Sequence, residues 1–353
     1  MSDTTKTLTM STKEAQFFKE MIQEEMLSLP AIKDNHKIFP NIPYNTNINI
    51  LGNLGLVGVA DAGCAMNPST SALDVTTKVW TPKKWKIFHR ECYFDYEGGL
   101  LEPQMNILED RADLVRTELI SLLQDKFKPA MAEMLLRYIW FNDTLAANTD
   151  DSPAGLITPT TDVKYFNVYD GLFKQLLAIC TADATRHITI AANAELTYAL
   201  QDSTLTPTLA YGYIVDAIYK ASIMTKAKPG YKVLCTQELY DKATQYTIGK
   251  DLPAIFERME NGISQFKVLG KVVEPMPMWS QYIRAYEDNG TTWNKPHRLL
   301  YFNPENLGIA VPKNDIVLNT SIIFDPIQDY TYLKASGVMD MKVIVDKNIQ
   351  YGY

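Results

Sequence analysis

Apolar side chains recur at helical spacing between residues 106 and 141, and this is the most regular pattern in the chain. Leu108, Val115 and Leu122 lie on one face, and the apolar stripe continues beyond Pro129. Such spacing predicts an amphipathic helix, with a kink near the proline. At 1.5 Å per residue the helix is roughly 55 Å long, well beyond the average helix of a globular protein.

Residues 74–94 alternate between apolar and polar side chains and are rich in Val, Thr, Trp and Phe, which is typical of β-strands. We predict a two-stranded hairpin arm that turns at the sequence TPKK, with Trp80 and Trp85 on either side of the turn. An exposed hairpin that carries two indole rings would promote aggregation unless a neighbour covered it. The pattern therefore predicts an intersubunit contact through these two rings, with Lys83 and Lys84 facing acidic surface of the neighbour.

A second candidate contact lies near the N-terminus, where an amphipathic helix is predicted to begin at Ser11. Ser11 and Glu14 have the spacing of a capping box, and Phe18, Ile22 and Met26 follow at helical spacing on one face. A polar leader precedes this helix, and a stretch rich in Pro and Asn follows it. Two interpretations stay open, a helix that packs on its own core and an arm that docks on a neighbouring subunit.

Helix and strand signals alternate between residues 171 and 299, as in an α/β domain, whereas short strands dominate from Arg298 onward. A threonine followed by proline is a favourable helix start, because the hydroxyl caps the helix and proline suits its first position. The local signals are the helix starts at Thr206-Pro207 and Thr236, the strand at 232–234, and a strand pair around Gly270.

Composition limits the classes of function. The chain has 353 residues, of which 46% are hydrophobic and 21% charged, so it can bury one large core or two ordinary ones. The formal net charge is −7, and Lys and Arg are scattered without a basic stripe, so sequence-specific nucleic-acid recognition is not indicated. The first residues do not resemble a signal peptide, and no run of ~18 apolar residues occurs, so we expect no membrane segment.

The cysteines and histidines do not form a recognisable metal or redox motif. Cys64, Cys92, Cys180 and Cys235 are far apart, with no CxxC pair, and are interpreted as free thiols in a reducing compartment. His89 and Cys92 form an isolated HxxC, and two ligands cannot complete a tetrahedral zinc site. We therefore expect no metal and no organic cofactor.

Motifs of common enzymes are also missing from the sequence. The glycines between residues 47 and 71 are spaced G-x-x-G-x-x-G, which differs from a dinucleotide-binding loop. There is no Walker loop, no H-E-x-x-H and no G-x-S-x-G sequence. A triad built around His187 stays open as an alternative, although no motif favours it, and we expect that the chain is not an enzyme.

The order of the predicted parts resembles that of the Hong Kong 97-type major capsid proteins of tailed phages. These parts are an N-terminal arm, an extended hairpin, a long helix, an α/β region and a final set of strands. The segments that carry the resemblance are 11–45, 80–85, 106–141, the stretch 141–157 that ends in an apolar residue after a glycine, the helix 170–179, the strands 232–234 and 267–273, Pro275, Pro277, and 299–303.

The resemblance implies an α+β, Hong Kong 97-like capsid fold with a long spine helix, a peripheral β-sheet and an axial α/β domain. It divides the chain into an N-terminal arm over 1–45 and an extended β-hairpin loop over 46–88. A peripheral domain with the spine helix would then comprise 89–170 and 300–353, and an axial domain would comprise 171–299. In this division the chain returns to the peripheral sheet at Leu299.

The same resemblance implies a structural function. The chain would assemble with itself into hexamers and pentamers of an icosahedral phage head, built in the host cytoplasm, that encloses double-stranded DNA without sequence-specific contacts. Implied partners are a portal, a separate scaffolding protein and decoration proteins, with no cofactor and no membrane. Two alternatives stay open, an encapsulin-like protein compartment and a cytosolic α/β enzyme with its catalytic region in 171–299.

Overall fold

The computed structural model describes residues 8–9, 30–42, 45–51, 75–92, 118–146, 163–250, 256–258, 264–312, 317–325 and 330–353. The strands within these ranges are β1 (Leu8–Thr9), β2 (Lys37–Phe39), β3 (Thr46–Leu51), β4 (Val75–Trp80), β5 (Lys83–Cys92), β6 (His187–Ile188), β7 (Lys232–Cys235), β8 (Phe256–Arg258), β9 (Ser264–Val268), β10 (Lys271–Pro275), β11 (Leu299–Phe302), β12 (Leu307–Ala310), β13 (Val317–Asp325), β14 (Tyr330–Val343) and β15 (Gln350–Gly352). The helices are α1 (Pro30–Lys33), α2 (Glu118–Phe141), α3 (Leu172–Ala182), α4 (Tyr198–Thr204), α5 (Pro207–Lys220), α6 (Ile223–Ala227), α7 (Gln237–Gly249) and α8 (Pro277–Tyr286).

One sheet has seven strands in the order β6-β15-β11-β7-β10-β9-β8. β7 runs parallel to β10 and β15 runs parallel to β6, and the other neighbours are antiparallel. All residues of β7 and β11 are buried, which explains why KVLC and LLYF are nearly continuous apolar runs. Leu234 and Leu300 belong to a core shared with α3 and α8, whereas Val233 and Tyr301 belong to a second core shared with α5 and α7.

The other large sheet has six strands and is centred on β14. Its main order is β1-β13-β14-β12-β2, and β5 pairs with β14 along all ten of its residues. Met131 and Leu135 of α2 lie in one apolar core with Trp85 of β5 and Leu333 of β14. The long helix and this sheet therefore share a core, which makes the mixture of helices and sheets α+β.

The edge of β14 beyond the end of its pairing with β5 is covered by a side chain. Gln175, on α3, donates from Nε2 to the carbonyl oxygen of Met341 at 2.8 Å. Its Oε1 accepts from the backbone N–H of Val343 at 3.3 Å. The amide thus makes one donor and one acceptor contact with the strand, as a neighbouring strand would.

Several local predictions agree with the structure. α5 begins at Pro207, and the Thr206 hydroxyl accepts from the N–H of Leu209, as expected of an N-cap. β9 and β10 form a hairpin in which Leu269 and Gly270 have φ of 50° and 74°, the positive values that a two-residue type I′ turn requires. Thr236 precedes α7, but its hydroxyl accepts from the N–H of Arg298 at 3.4 Å instead of capping the helix.

The predicted long helix is present over the part of it that the structure describes. α2 covers 24 residues, Glu118–Phe141, with Pro129 inside it, which is about 36 Å of helix. The earlier part of the prediction, residues 106–117, lies outside the described residues. In the C-terminal half of α2, Leu135, Ile139 and Trp140 are fully inaccessible to solvent.

The prediction of a hairpin over residues 74–94 is wrong. β4 pairs antiparallel with β3, and β5 pairs antiparallel with β14, so the two predicted arms belong to different sheets. The physical reason lies in the Thr81-Pro82 connection. Tight two-residue hairpin turns need positive φ, whereas proline fixes φ near −65°, so the chain leaves β4 in a new direction.

The strand that begins at Leu299, where the sequence predicts a return to the peripheral sheet, lies in the seven-stranded sheet. β11 pairs with β7 and β15 inside the seven-stranded sheet, and the next strand, β12, is the one that joins β14 and β2. Strand β15 then brings the end of the described chain back to the seven-stranded sheet. A run such as LLYF is apolar on both faces, so its pattern predicts a buried strand without indicating which sheet contains it.

His36 lies in the core just after α1. Its Nδ1 is 3.2 Å from the carbonyl oxygen of Ile32, and its ring packs edge-on against Trp140 at 5.5 Å between centroids. Burial lowers the pKa of His36 to about 4, because a charged imidazolium would lose its hydration there.

We expect this histidine to make the subunit sensitive to acid. Between pH 6.5 and 4 the unfolded chain binds a proton that the folded chain excludes, so stability falls as pH falls. From pH 7 to 5 the free energy of unfolding should drop by about 2 kcal/mol more in the wild type than in His36→Gln. Urea unfolding at several pH values measures this, and identical pH dependence in both proteins would contradict it.

Candidate assembly surfaces

β3 and β4 form a two-stranded antiparallel ribbon, and within the described residues neither strand pairs with any other. Thr46 lies opposite Trp80 at one end of the ribbon. This end, which we call the base, is the end nearest the six-stranded sheet. Asn49 and Thr77 are exposed and paired across the ribbon, with the Thr77 hydroxyl donating to Asn49 Oδ1 at 3.2 Å. Two-stranded ribbons are at best marginally stable alone, so this one depends on support at its base.

Trp80 provides the apolar part of that support. Its side chain is 1% exposed, and its ring lies 5.8 Å from the ring of Phe39. The indole also fills the space above Gly308, where a Cβ atom would come within 2.9 Å of Trp80 Cη2. Glycine at this position on β12 therefore allows the ring to lie directly on the sheet.

Polar contacts hold the same base. Lys78 Nζ donates to the carbonyl oxygen of Val343 at 2.7 Å and pairs with Asp346 at 2.5 Å. The N–H of Thr81 donates to Asp340 Oδ2 at 2.7 Å, and burial raises the pKa of this aspartate. The ribbon is thus joined to β14 and to the segment after it just before the chain enters β5.

The structure changes the set of candidate contact residues. Trp80 and Trp85 are 1% and 3% exposed, so the prediction that their rings cover a neighbouring subunit is wrong, because the chain's own sheet and α2 already cover them. Lys83 and Lys84 are exposed at the start of β5, and their contact with a neighbour stays a prediction. The other predicted contact residues, Phe18, Ile22 and Met26, lie outside the described residues.

A groove of about 810 Å³ lies between β5 and α2. Glu133 on its wall is already engaged, accepting from the Tyr282 hydroxyl at 2.6 Å and pairing with Arg137 at 3.5 Å. Arg137 in turn lies 5.2 Å from the ring of Phe166. The groove therefore offers packing surface, and Glu133 and Arg137 on its wall already have structural partners.

Exposed apolar side chains on the α-helical part of the chain were missed by the sequence reasoning. Ile223 is 82% exposed and Leu196 is 79% exposed, and Ile248 and Tyr219 are also largely accessible. They did not stand out because each belongs to a helix, or to a segment beside a helix, whose other apolar residues face the core. Single exposed apolar side chains are common, but each of these four offers apolar surface against which another molecule could pack.

The histidines and cysteines do not come together into a reactive site in the described part of the chain. No group of three His, Cys, Asp or Glu residues there could hold a metal ion. Cys180 and Cys235 are buried free thiols, and burial raises the pKa of Cys180 to about 12. Burial lowers the pKa of three histidines, and each lies near a backbone carbonyl oxygen: His36 near Ile32 at 3.2 Å, His187 near Tyr353 at 3.4 Å and His297 near Gln201 at 3.1 Å.

The most deeply buried charges form an ion pair. Arg298, just before β11, and Glu287, just after α8, are almost completely inaccessible and pair through both guanidinium Nη atoms. Arg298 also donates to the carbonyl oxygens of Asn294 and Lys295 at 2.8 and 3.0 Å, and it lies 4.4 Å from the ring of Phe173. The pair closes the loop between α8 and β11, and its burial leaves no approach for a substrate.

Comparison with known proteins agrees with the absence of a familiar sequence signature. No protein-family model matches the chain, and no curated protein is similar to it in sequence. Among the described residues, no helix combines the length and the apolar character needed to cross a membrane.

Solved structures, in contrast, share its architecture over almost its whole length. A chain of the satellite phage P4 procapsid including size determination (Sid) protein aligns with a TM-score of 0.51 and 10% identity, covering 96% of this chain and 98% of that one. A chain of the capsid of the cyanophage P-SCSP1u aligns with a TM-score of 0.52 and 16% identity, covering 91% and 86%. The chain therefore has the α+β fold of phage capsid proteins.

Proposed function

We propose that this chain is the major capsid protein of a tailed phage, with a Hong Kong 97-like fold, and that it assembles into hexamers and pentamers of an icosahedral head around double-stranded DNA. The observation that carries the proposal is the fold shared with two phage capsid chains over more than nine tenths of this chain. The chain would reside in the virion after assembly in the host cytoplasm. Its role is then structural, and no catalytic step is assigned to it.

The parts of the chain fit this proposal as follows. The ribbon of β3 and β4 is the described part of the extension loop, which we now place before Thr81, and α2 is the spine helix. The six-stranded sheet is assigned to the peripheral domain and the seven-stranded sheet to the axial domain, with β11 and β15 added to the latter. The N-terminal arm over 1–45 is proposed to reach a neighbouring subunit.

A shell subunit needs surfaces that leave its compact body, because each contact in a closed assembly is repeated many times and individually weak contacts suffice. The ribbon supplies such a surface, since it carries the exposed side chains of Asn49, Thr77 and Val79 and is held at its base by the contacts of Lys78, Trp80 and Thr81. The other partners proposed for the shell are a portal, a separate scaffolding protein and decoration proteins.

Electron microscopy of the purified protein tests the proposal. We expect closed shells of uniform size, and a sedimentation profile dominated by particles far larger than a monomer. A protein that stays monomeric or dimeric under all conditions tried, including addition of a scaffolding protein from the same phage, would contradict a shell function. Shells that enclose a protein cargo and no DNA would identify a compartment instead.

The exposed lysines at the base of the ribbon give a second test. Replacing Lys83 and Lys84 by Glu should raise the protein concentration needed for assembly, because like charges would then face the acidic surface of the neighbour. The defect should be largest at low salt, since exposed charges are screened within about 10 Å at 0.1 M salt. Light scattering during assembly measures it, and unchanged assembly at low salt would remove these lysines from the contact.

A further inference from the structure

The six-stranded sheet has a strongly basic face that the linear sequence does not reveal. Residues alternate across β5, so Trp85 and Ile87 pack toward the core while their neighbours on the strand point to the opposite face. β14 contributes to that face as well, because Lys334 lies opposite Phe88 in the ladder. Apart from Lys84, which belongs to the proposed contact with a neighbouring subunit, the exposed cations of this face are Lys86, Arg90 and Lys334, and we call the surface that they form the basic face.

The cations of the basic face do not form ion pairs with other described residues. Lys86, Arg90 and Lys334 differ in this from Lys78, Arg137 and Lys232, which each pair with a carboxylate. Asp325 is on the same face, opposite Tyr330 at the far end of the β13–β14 ladder. The chain as a whole carries −7, so this face is a local reversal of its charge.

Aromatic rings hold two of these cations in place. The rings of Phe88 and Tyr332 are stacked, with 5.2 Å between centroids and 2° between planes. Lys334 Nζ lies 5.0 Å from the centre of the Phe88 ring, and the Arg90 guanidinium lies 4.4 Å from the centre of the Tyr330 ring. Cation–π contacts leave the positive charge available to an anion while restricting where it lies.

We propose that the basic face binds the phosphate backbone of the DNA enclosed by the shell. The identification of this ligand as packaged DNA rests on the proposed function. Alternate residues of a strand are about 6.8 Å apart, so Lys86 and Arg90 are separated by roughly 14 Å. Over that length one strand of a duplex carries about four phosphates, at one per 3.4 Å. The cations therefore follow a line of anionic charge, as a backbone requires.

The feature that favours DNA over an acidic protein partner is the regular line of cations, which runs beside an open groove of about 430 Å³ lined by Lys86, Phe88 and Lys334. The neighbouring positions on β13, Asn319 and Ser321, are small and uncharged, and they leave the row of cations open on that side. Phosphate contacts of this kind position a protein on nucleic acid without reading sequence. That matches a shell that must accept any packaged sequence.

The test is binding of a mixed-sequence DNA duplex to the unassembled full-length subunit, measured by fluorescence anisotropy. Three phosphate contacts predict that affinity falls about fortyfold between roughly 50 and 200 mM salt. Lys86→Glu/Arg90→Glu should bind at least tenfold more weakly and with a shallower salt dependence. Lys228→Glu/Lys250→Glu changes the net charge equally at exposed positions outside the six-stranded sheet and should bind within about threefold of wild type.

Equal weakening by the two double variants would mean that net charge alone matters and would overturn the proposal, as would a wild-type subunit that does not bind DNA. Binding of poly-glutamate in place of DNA would assign the basic face to an acidic protein instead. Microscopy of the same preparations separates this inference from the shell function. Shells that form from a subunit without DNA affinity would reject the basic face alone, whereas DNA binding without any shell would reject the capsid function.

Discussion

Replacing Trp80 by alanine is expected to lower the free energy of unfolding of the isolated subunit by about 3–5 kcal/mol. The indole is 1% exposed and fills the space between Phe39 and Gly308, so its removal leaves a cavity at the junction of the ribbon with the six-stranded sheet. The rigid backbone of β12 beneath the ring limits how far the cavity can close. Urea unfolding of the unassembled subunit measures the change.

Val79 provides a matched control, because it neighbours Trp80 on the same strand and is 41% exposed. Val79→Ala should change the stability by less than about 0.5 kcal/mol, as is usual for surface substitutions. If Trp80→Ala subunits were as stable as wild type but failed to form shells, the indole would act between subunits after all, and the packing described above would not represent its role.

Replacing Arg298 by methionine should be about as costly, about 3–5 kcal/mol, because it leaves Glu287 buried without its partner. Methionine keeps much of the apolar stem that covers Phe173 but loses the hydrogen bonds to Glu287, Asn294 and Lys295. Arg284→Met is the control, since Arg284 pairs with Glu238 in a half-exposed position where ion pairs contribute less than about 1 kcal/mol.

The pH dependence of the Arg298→Met variant gives an independent readout. Burial raises the pKa of Glu287 to about 7 even beside the guanidinium, and loss of that cation raises it further. A carboxyl group with a raised pKa in the folded state stabilises the fold below its unfolded pKa, and this stabilisation disappears as pH rises through the folded pKa. The variant should therefore be less defective at pH 5 than at pH 8, and an equal defect at both values would mean that lost packing is the cause.

Local patterns in the sequence predicted local structure well. The Thr206-Pro207 helix start, the turn at Gly270 and the apolar face of α2 depend on residues within a few positions of each other, and the structure contains all three. Each rests on backbone geometry or helical periodicity, which nearby residues determine by themselves.

Partner choice between strands was not predictable in the same way. Alternation over residues 74–94 correctly indicated two strands. The pattern is equally consistent with β4 and β5 pairing with each other and with their pairing with β3 and β14. The burial of Trp80 and Trp85 follows from that pairing, so it was missed together with it. The basic face was missed for the same reason, because Lys334 joins Lys86 and Arg90 only when β14 lies beside β5.

Gln175 covers a strand edge, and this bears on how the shell subunit proposed above would associate selectively. An open strand edge is adhesive toward any other edge, and a subunit that exposed one at high local concentration could grow into fibres instead of closing into a shell. By placing an amide from α3 against Met341 and Val343, the chain ends β14 with a side chain that no second copy can extend. This edge of β14 is therefore not open to backbone pairing with another copy. Association of subunits then depends on other surfaces, whose geometry allows a closed shell to form.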